Sequence, residues 1–98
     1  MYKIMVIEDD KSLLDNITEM LVKWGFHAHG VINYSNILTE FIKNKPHLVL
    51  MDINLPYFDG FHWCNKIREI SKCPIIFLSS RDSNMDIIMA VNMGADDY

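Results

Sequence analysis

Short apolar runs alternate with segments of helical period along this chain, and that alternation narrows its possible folds more than any other feature. Residues 3–7 (KIMVI), 48–51 (LVLM) and 74–78 (PIIFL) are nearly unbroken apolar runs, the pattern of strands buried on both faces. Residues 26–31 are a weaker strand candidate. Between these runs, residues 11–24 set Leu13, Leu14, Ile17, Leu21 and Trp24 on one helical stripe, with Asp10 as N-cap and Gly25 as stop. Residues 35–43 carry Ile37, Leu38, Phe41 and Ile42 at helical spacing, and Pro46 closes that segment. A third helix is predicted over 60–70, burying Phe61, Cys64 and Ile67. Ser83 followed by Asp86 forms a capping box that opens a fourth, ended by Gly94. Strands alternating with helices imply right-handed βαβ units and a parallel sheet covered on both faces.

Composition excludes several classes. Nine basic residues against thirteen acidic ones give a formal charge of −4, which argues against nucleic-acid binding by this segment, since phosphate contacts need a basic face. No apolar run approaches the roughly eighteen residues that span a bilayer, and no signal-peptide pattern opens the chain, so a cytoplasmic protein with no membrane contact is expected. Cys64 and Cys73 lack the close pairing of a metal or redox motif and read as reduced thiols. His27, His29, His47 and His62 are scattered over different elements and read as surface or loop positions. The methionines fall mostly at core positions, where gap-filling explains them. Trp63 reads as core cover or as a residue facing a partner.

The acidic residues are harder to dismiss. The first apolar run ends at Glu8 and Asp9, the middle one at Asp52, and the last at Ser79. In an open parallel sheet, ligands bind at the carboxyl ends of strands, so these residues should meet there. Each has an ordinary reading: an Asp after a strand is often a turn residue, Glu8–Asp9–Asp10 can be a solvated run, and Asp10 is best explained as a cap. The conjunction at successive strand ends carries the functional reading. Three neighbouring carboxylates raise one another's pKa unless a cation sits among them. Mg²⁺ suits, because it takes one or two carboxylates, keeps several waters and leaves room for phosphate oxygens. A carboxylate beside such an ion can attack a phosphoryl group, and Asp52 reads as that acceptor.

With KIMVIEDD, LVLMDINLPYFDG, PIIFLSS and MGADDY spread over its whole length, the sequence resembles the receiver domains of two-component response regulators. The resemblance implies a flavodoxin-like, CheY-like fold with strand order 2-1-3-4-(5). It implies that Glu8 and Asp9 are the Mg²⁺-binding pair, that Asp52 becomes the 4-aspartylphosphate, and that the Asn54 backbone carbonyl completes the metal's protein ligands. Ser79 takes the place of the switch hydroxyl, and Tyr98 that of the switch aromatic. The implied function is phosphorelay: a sensor histidine kinase supplies the phosphoryl group, and the change of state passes to an output. The first helix would dock the kinase, with Ile17 or Met20 at that contact. MGADDY most resembles regulators carrying a C-terminal winged-helix DNA-binding domain, so DNA contact and transcription regulation would come only through a domain absent here.

The family continues past GADDY into a Lys-Pro pair, whereas this chain stops before it. Residues 1–98 are therefore expected to be an incomplete receiver without the fifth strand and helix, with an open edge on 74–78 that favours self-association or dimerisation. Rival functions fit less well. A haloacid-dehalogenase-type phosphatase needs D-x-D where this chain has Asp52-Ile53-Asn54, and a flavodoxin-like cofactor binder needs a phosphate loop where it has acidic residues. Beyond at most intrinsic autophosphatase activity, the chain is not expected to be an enzyme. A pseudo-receiver acting as an interaction module without phosphorylation is the alternative.

Overall fold

The computed structural model describes residues 2–78 and the backbone of Ala90 and Val91. Its elements run β1 (Lys3–Ile7), α1 (Lys11–Lys23), β2 (His27–Gly30), α2 (Ile37–Asn44), β3 (Leu48–Asp52), α3 (Gly60–Arg68), β4 (Ile75–Leu78) and β5 (Ala90–Val91). The first four strands form a parallel sheet, as the alternation implied, in the order β2-β1-β3-β4 that the family resemblance implied. β1 lies centrally, its Val6 opposite Gly30 on one side and Leu50 on the other. This doubly wound arrangement places both central strand ends, at Glu8 and Asp52, on one edge.

Side chains alternate across β1, so each face of the sheet has its own core. Met5 and Ile7 join Val49, Met51, Ile75 and Phe77 beneath α2 and α3, which contribute Ile37, Phe41, Trp63, Cys64 and Ile67. Ile4 and Val6 pack on the opposite face with Leu21, against Leu14 and Ile17 of α1. Trp63 is thus core cover, and Ile17, one of the docking candidates, packs against this core while Met20 is exposed.

Helix ends explain where the periodic reading slips. Asp10 caps α1, accepting from the N–H groups of Ser12 and Leu13 at 3.0 and 3.3 Å. Trp24, expected on the buried stripe, is 65% exposed because it is the C-cap residue, followed by Gly25 at φ 95°. α2 begins two residues later than expected, where Asn36 accepts from the Thr39 N–H at 3.3 Å. Its Ile42 is exposed, so Ile37 and Phe41 carry the packing. Asp59, which had not been singled out, caps α3 through the His62 N–H at 2.9 Å.

The fourth helix was expected over a span that lies largely outside the described residues. Within that span Ala90 and Val91 are not helical. They pair antiparallel with β4, Val91 opposite Ile76 and Ala90 opposite Phe77. The edge expected to be open is therefore occupied along those two residues: an apolar strand edge presents N–H and C=O groups that any nearby extended backbone can satisfy. Among the described residues, no helix is long and apolar enough to cross a membrane.

Candidate functional site

β1 and β3 are neighbours in register, with Ile7 opposite Met51, so the residues following each emerge side by side. Glu8, Asp9 and Asp52 each offer a carboxylate oxygen within 4.8 Å of the others. Asp9 is exposed, whereas Glu8 and Asp52 are only 1% and 2% exposed. The Asp10 N–H donates to Glu8 Oε2 at 3.0 Å, while Oε1 is buried with no hydrogen-bond partner among the described residues. Asp52 Oδ1 accepts from the Asn54 N–H at 3.4 Å.

The electrostatic consequence is direct. Burial pushes the Glu8 carboxyl up from 4.5 to about 7, and the charges of Asp52, Asp9 and Asp10 add to the rise against the Asp10 backbone bond. Burial likewise raises Asp52, with Asp9 contributing, while backbone N–H groups of Asn54 and Ile53 and a side-chain hydrogen bond with Glu8 pull the other way. A buried carboxylate oxygen lacking a donor is satisfied by a shared proton or by a cation. Hard oxygen donors, two of them on buried side chains and one on a side chain open to solvent, fit an ion such as Mg²⁺.

Between β3 and α3 the backbone makes one close approach and carries one strained residue. Gly60 donates its N–H to the Ile53 carbonyl at 2.8 Å. A Cβ there would stand 2.5 Å from the Asp52 carbonyl oxygen, and its obstacle is backbone. Gly60→Ala should therefore destabilise the fold by about 2–3 kcal/mol through overpacking, read as a lowered denaturant midpoint. Tyr57 adopts φ 71°, a left-handed conformation costly for a bulky residue, yet is 77% exposed and packs little. Tyr57→Gly should stabilise by about 1 kcal/mol, relief of strain exceeding the gain in unfolded-state entropy. A lower thermal midpoint for this variant would show that the tyrosine contributes packing instead.

Not every anticipated residue can be located. Ser79 and Tyr98 lie outside the described residues. No histidine joins the acidic cluster: His29 Nε2 lies 3.1 Å from Glu40 Oε1, His47 Nδ1 accepts from the Lys3 N–H at 2.8 Å, and His62 stacks on Phe58. One site neighbour escaped the sequence reading. Tyr34 donates its hydroxyl to the Glu8 backbone carbonyl at 2.7 Å, and burial together with the charges of Asp9, Glu8 and Glu40 raises its pKa, keeping the donor protonated.

A sheet of this order with paired carboxylates at its carboxyl edge defines a receiver, and the comparison with protein families agrees. Residues 4–98 match the response regulator receiver domain family, and the chain belongs to it. The sensory transduction protein BceR of Halalkalibacterium halodurans is 52% identical over 98 residues, covering all of this chain and 42% of that protein. The response regulator protein GraR of Staphylococcus saprophyticus is 45% identical over 95 residues, covering 97% of this chain and 42% of GraR. The chain thus spans less than half the length of these curated relatives. Among solved structures, the N-terminal domain of the nisin resistance regulator NsrR superposes with a TM-score of 0.80 at 41% identity, over 99% of this chain and 82% of that one.

Proposed function

We propose that Asp52 accepts a phosphoryl group in a Mg²⁺-dependent reaction and that Glu8, Asp9, Asp52 itself and the Asn54 carbonyl hold the ion. The observation that carries this reading is the convergence of three carboxylates within 4.8 Å, two of them buried. Mg²⁺ would supply the positive charge that offsets repulsion between these carboxylates and an incoming phosphate. The rest is the work of the chain. β3 is buried between β1 and β4 and holds the Asp52 carboxylate at a fixed point. The Asn54 N–H engages Oδ1 and helps orient the carboxylate whose oxygen attacks phosphorus. As the O–P bond forms, the bond from phosphorus to its donor breaks, and the donor leaves with the electron pair.

The donor in this reading is a phospho-histidine of a sensor histidine kinase. Ser79 and Tyr98 take the switch roles that the family resemblance implies. The output is DNA binding by a further domain, as in a winged-helix regulator, with dimerisation and a cytoplasmic setting. Apart from slow loss of its own phosphoryl group, the chain acts as a regulator rather than an enzyme. The structure of TrrA from Thermotoga maritima, solved in complex with Mg²⁺-BeF, has a TM-score of 0.76 at 26% identity over 86% of this chain and 73% of that one, and supports the cation assignment.

Incubation with acetyl phosphate and Mg²⁺ should add the mass of one phosphoryl group, and a chelator should prevent it. Equal labelling with and without chelator would remove the metal from the account.

A further inference from the structure

We propose that Tyr34 is a positioning residue for the acidic site, its hydroxyl fixing the Glu8–Asp9 peptide so that both carboxylates meet at the metal position. The inference rests on the proposed Mg²⁺ reading. It starts from where main-chain pairing stops: β1 and β2 are paired as far as Val6 and Gly30, and the Val31 N–H still reaches the Val6 carbonyl at 3.1 Å. Beyond this the strands part. The next carbonyl on that side, Glu8, is taken by the Tyr34 hydroxyl at 2.7 Å from 26 positions away. A side chain thus extends the ladder by one rung, at the residue whose own carboxylate enters the site.

The hydroxyl is delivered from a braced loop. Glu40 of α2 accepts from the Ile32 N–H at 3.1 Å and the Asn33 N–H at 2.6 Å while also meeting His29. Asn33 Oδ1 in turn accepts from Ser35, and Asn36 caps α2. The Tyr34 ring packs against the larger core, so removing its oxygen leaves the ring's support intact. Without the bond, the Glu8 carbonyl loses its partner and the peptide between the two acidic residues gains freedom to rotate. A metal site must then order that peptide on binding, which weakens affinity.

The test uses the full chain, wild type and Tyr34→Phe, titrated with Mg²⁺ alone and followed by amide chemical shifts, together with hydrogen exchange in the metal-free proteins. Mg²⁺ affinity should fall roughly five- to tenfold, the loss of one well-placed hydrogen bond. The Asp10 N–H, which donates to Glu8 Oε2, should exchange several-fold faster while core amides such as Met5 keep their rates. A merely structural role would raise exchange throughout, which would overturn the inference, as would wild-type affinity in Tyr34→Phe. Tyr34→Leu, which also removes the ring, should lower global stability and so separates packing from positioning. A wild type that binds no Mg²⁺ would defeat the underlying reading instead.

Discussion

In the presence of a chelator the domain should lose stability as pH rises from about 5 to 8, by roughly 3 kcal/mol, and Glu8→Gln should flatten that dependence. Glu8 titrates near 4.5 unfolded and at about 7 folded, so between those values the native state binds the extra proton. Stability therefore falls with rising pH across the window, at about 1.4 kcal/mol for each unit of separation between the two pKa values. Asp52, also raised by burial, contributes in the same direction. Glutamine keeps an acceptor for the Asp10 N–H and removes the charge that burial penalises. Urea melts at several pH values would measure the slope. A wild type as stable at pH 8 as at pH 5, or a glutamine variant with the wild-type slope, would contradict the placement of Glu8 in a dry site.

Mg²⁺ should restore at pH 8 much of what deprotonation costs, and Asp9→Asn should weaken its binding by roughly tenfold or more. Binding to the folded state alone stabilises by about 2.7 kcal/mol when the ion is at a hundred times its dissociation constant. The gain should fade near pH 5, where Glu8 holds its proton and competes with the cation. Asp9 is the exposed member of the cluster, so its replacement removes a ligand and a charge without opening the core. Thermal melts with and without Mg²⁺ would report both effects. Undiminished stabilisation of Asp9→Asn would take that residue out of the ligand set.

Much of this site was legible because its residues terminate apolar runs. Glu8 and Asp52 follow strands whose burial the sequence announces, and parallel pairing through a crossover leaves neighbouring strands to end on one edge. Helix interiors were legible for the same reason, but helix ends were not. Trp24 fits the α1 period yet falls on the cap, and period alone does not say at which residue the backbone leaves the helix. Ile42 fits the α2 period, but which half of an apolar stripe touches the sheet depends on how the helix is seated. Tyr34 was out of reach because its partner is a backbone carbonyl, which no residue pattern marks. The pairing of Ala90–Val91 with β4 is likewise a backbone event, set by an available strand edge rather than by side-chain spacing.

The central claim is that the Asp52 carboxylate, and no other group, receives the phosphoryl. Borohydride reduction of the acetyl-phosphate-treated chain converts an aspartyl phosphate to homoserine, and peptide fragmentation then locates it. The account predicts homoserine at position 52 in wild type, dependent on Mg²⁺, and none at any position in Asp52→Asn. Homoserine at Asp9 or Asp10 with Asp52 intact, or undiminished labelling of Asp52→Asn, would contradict it.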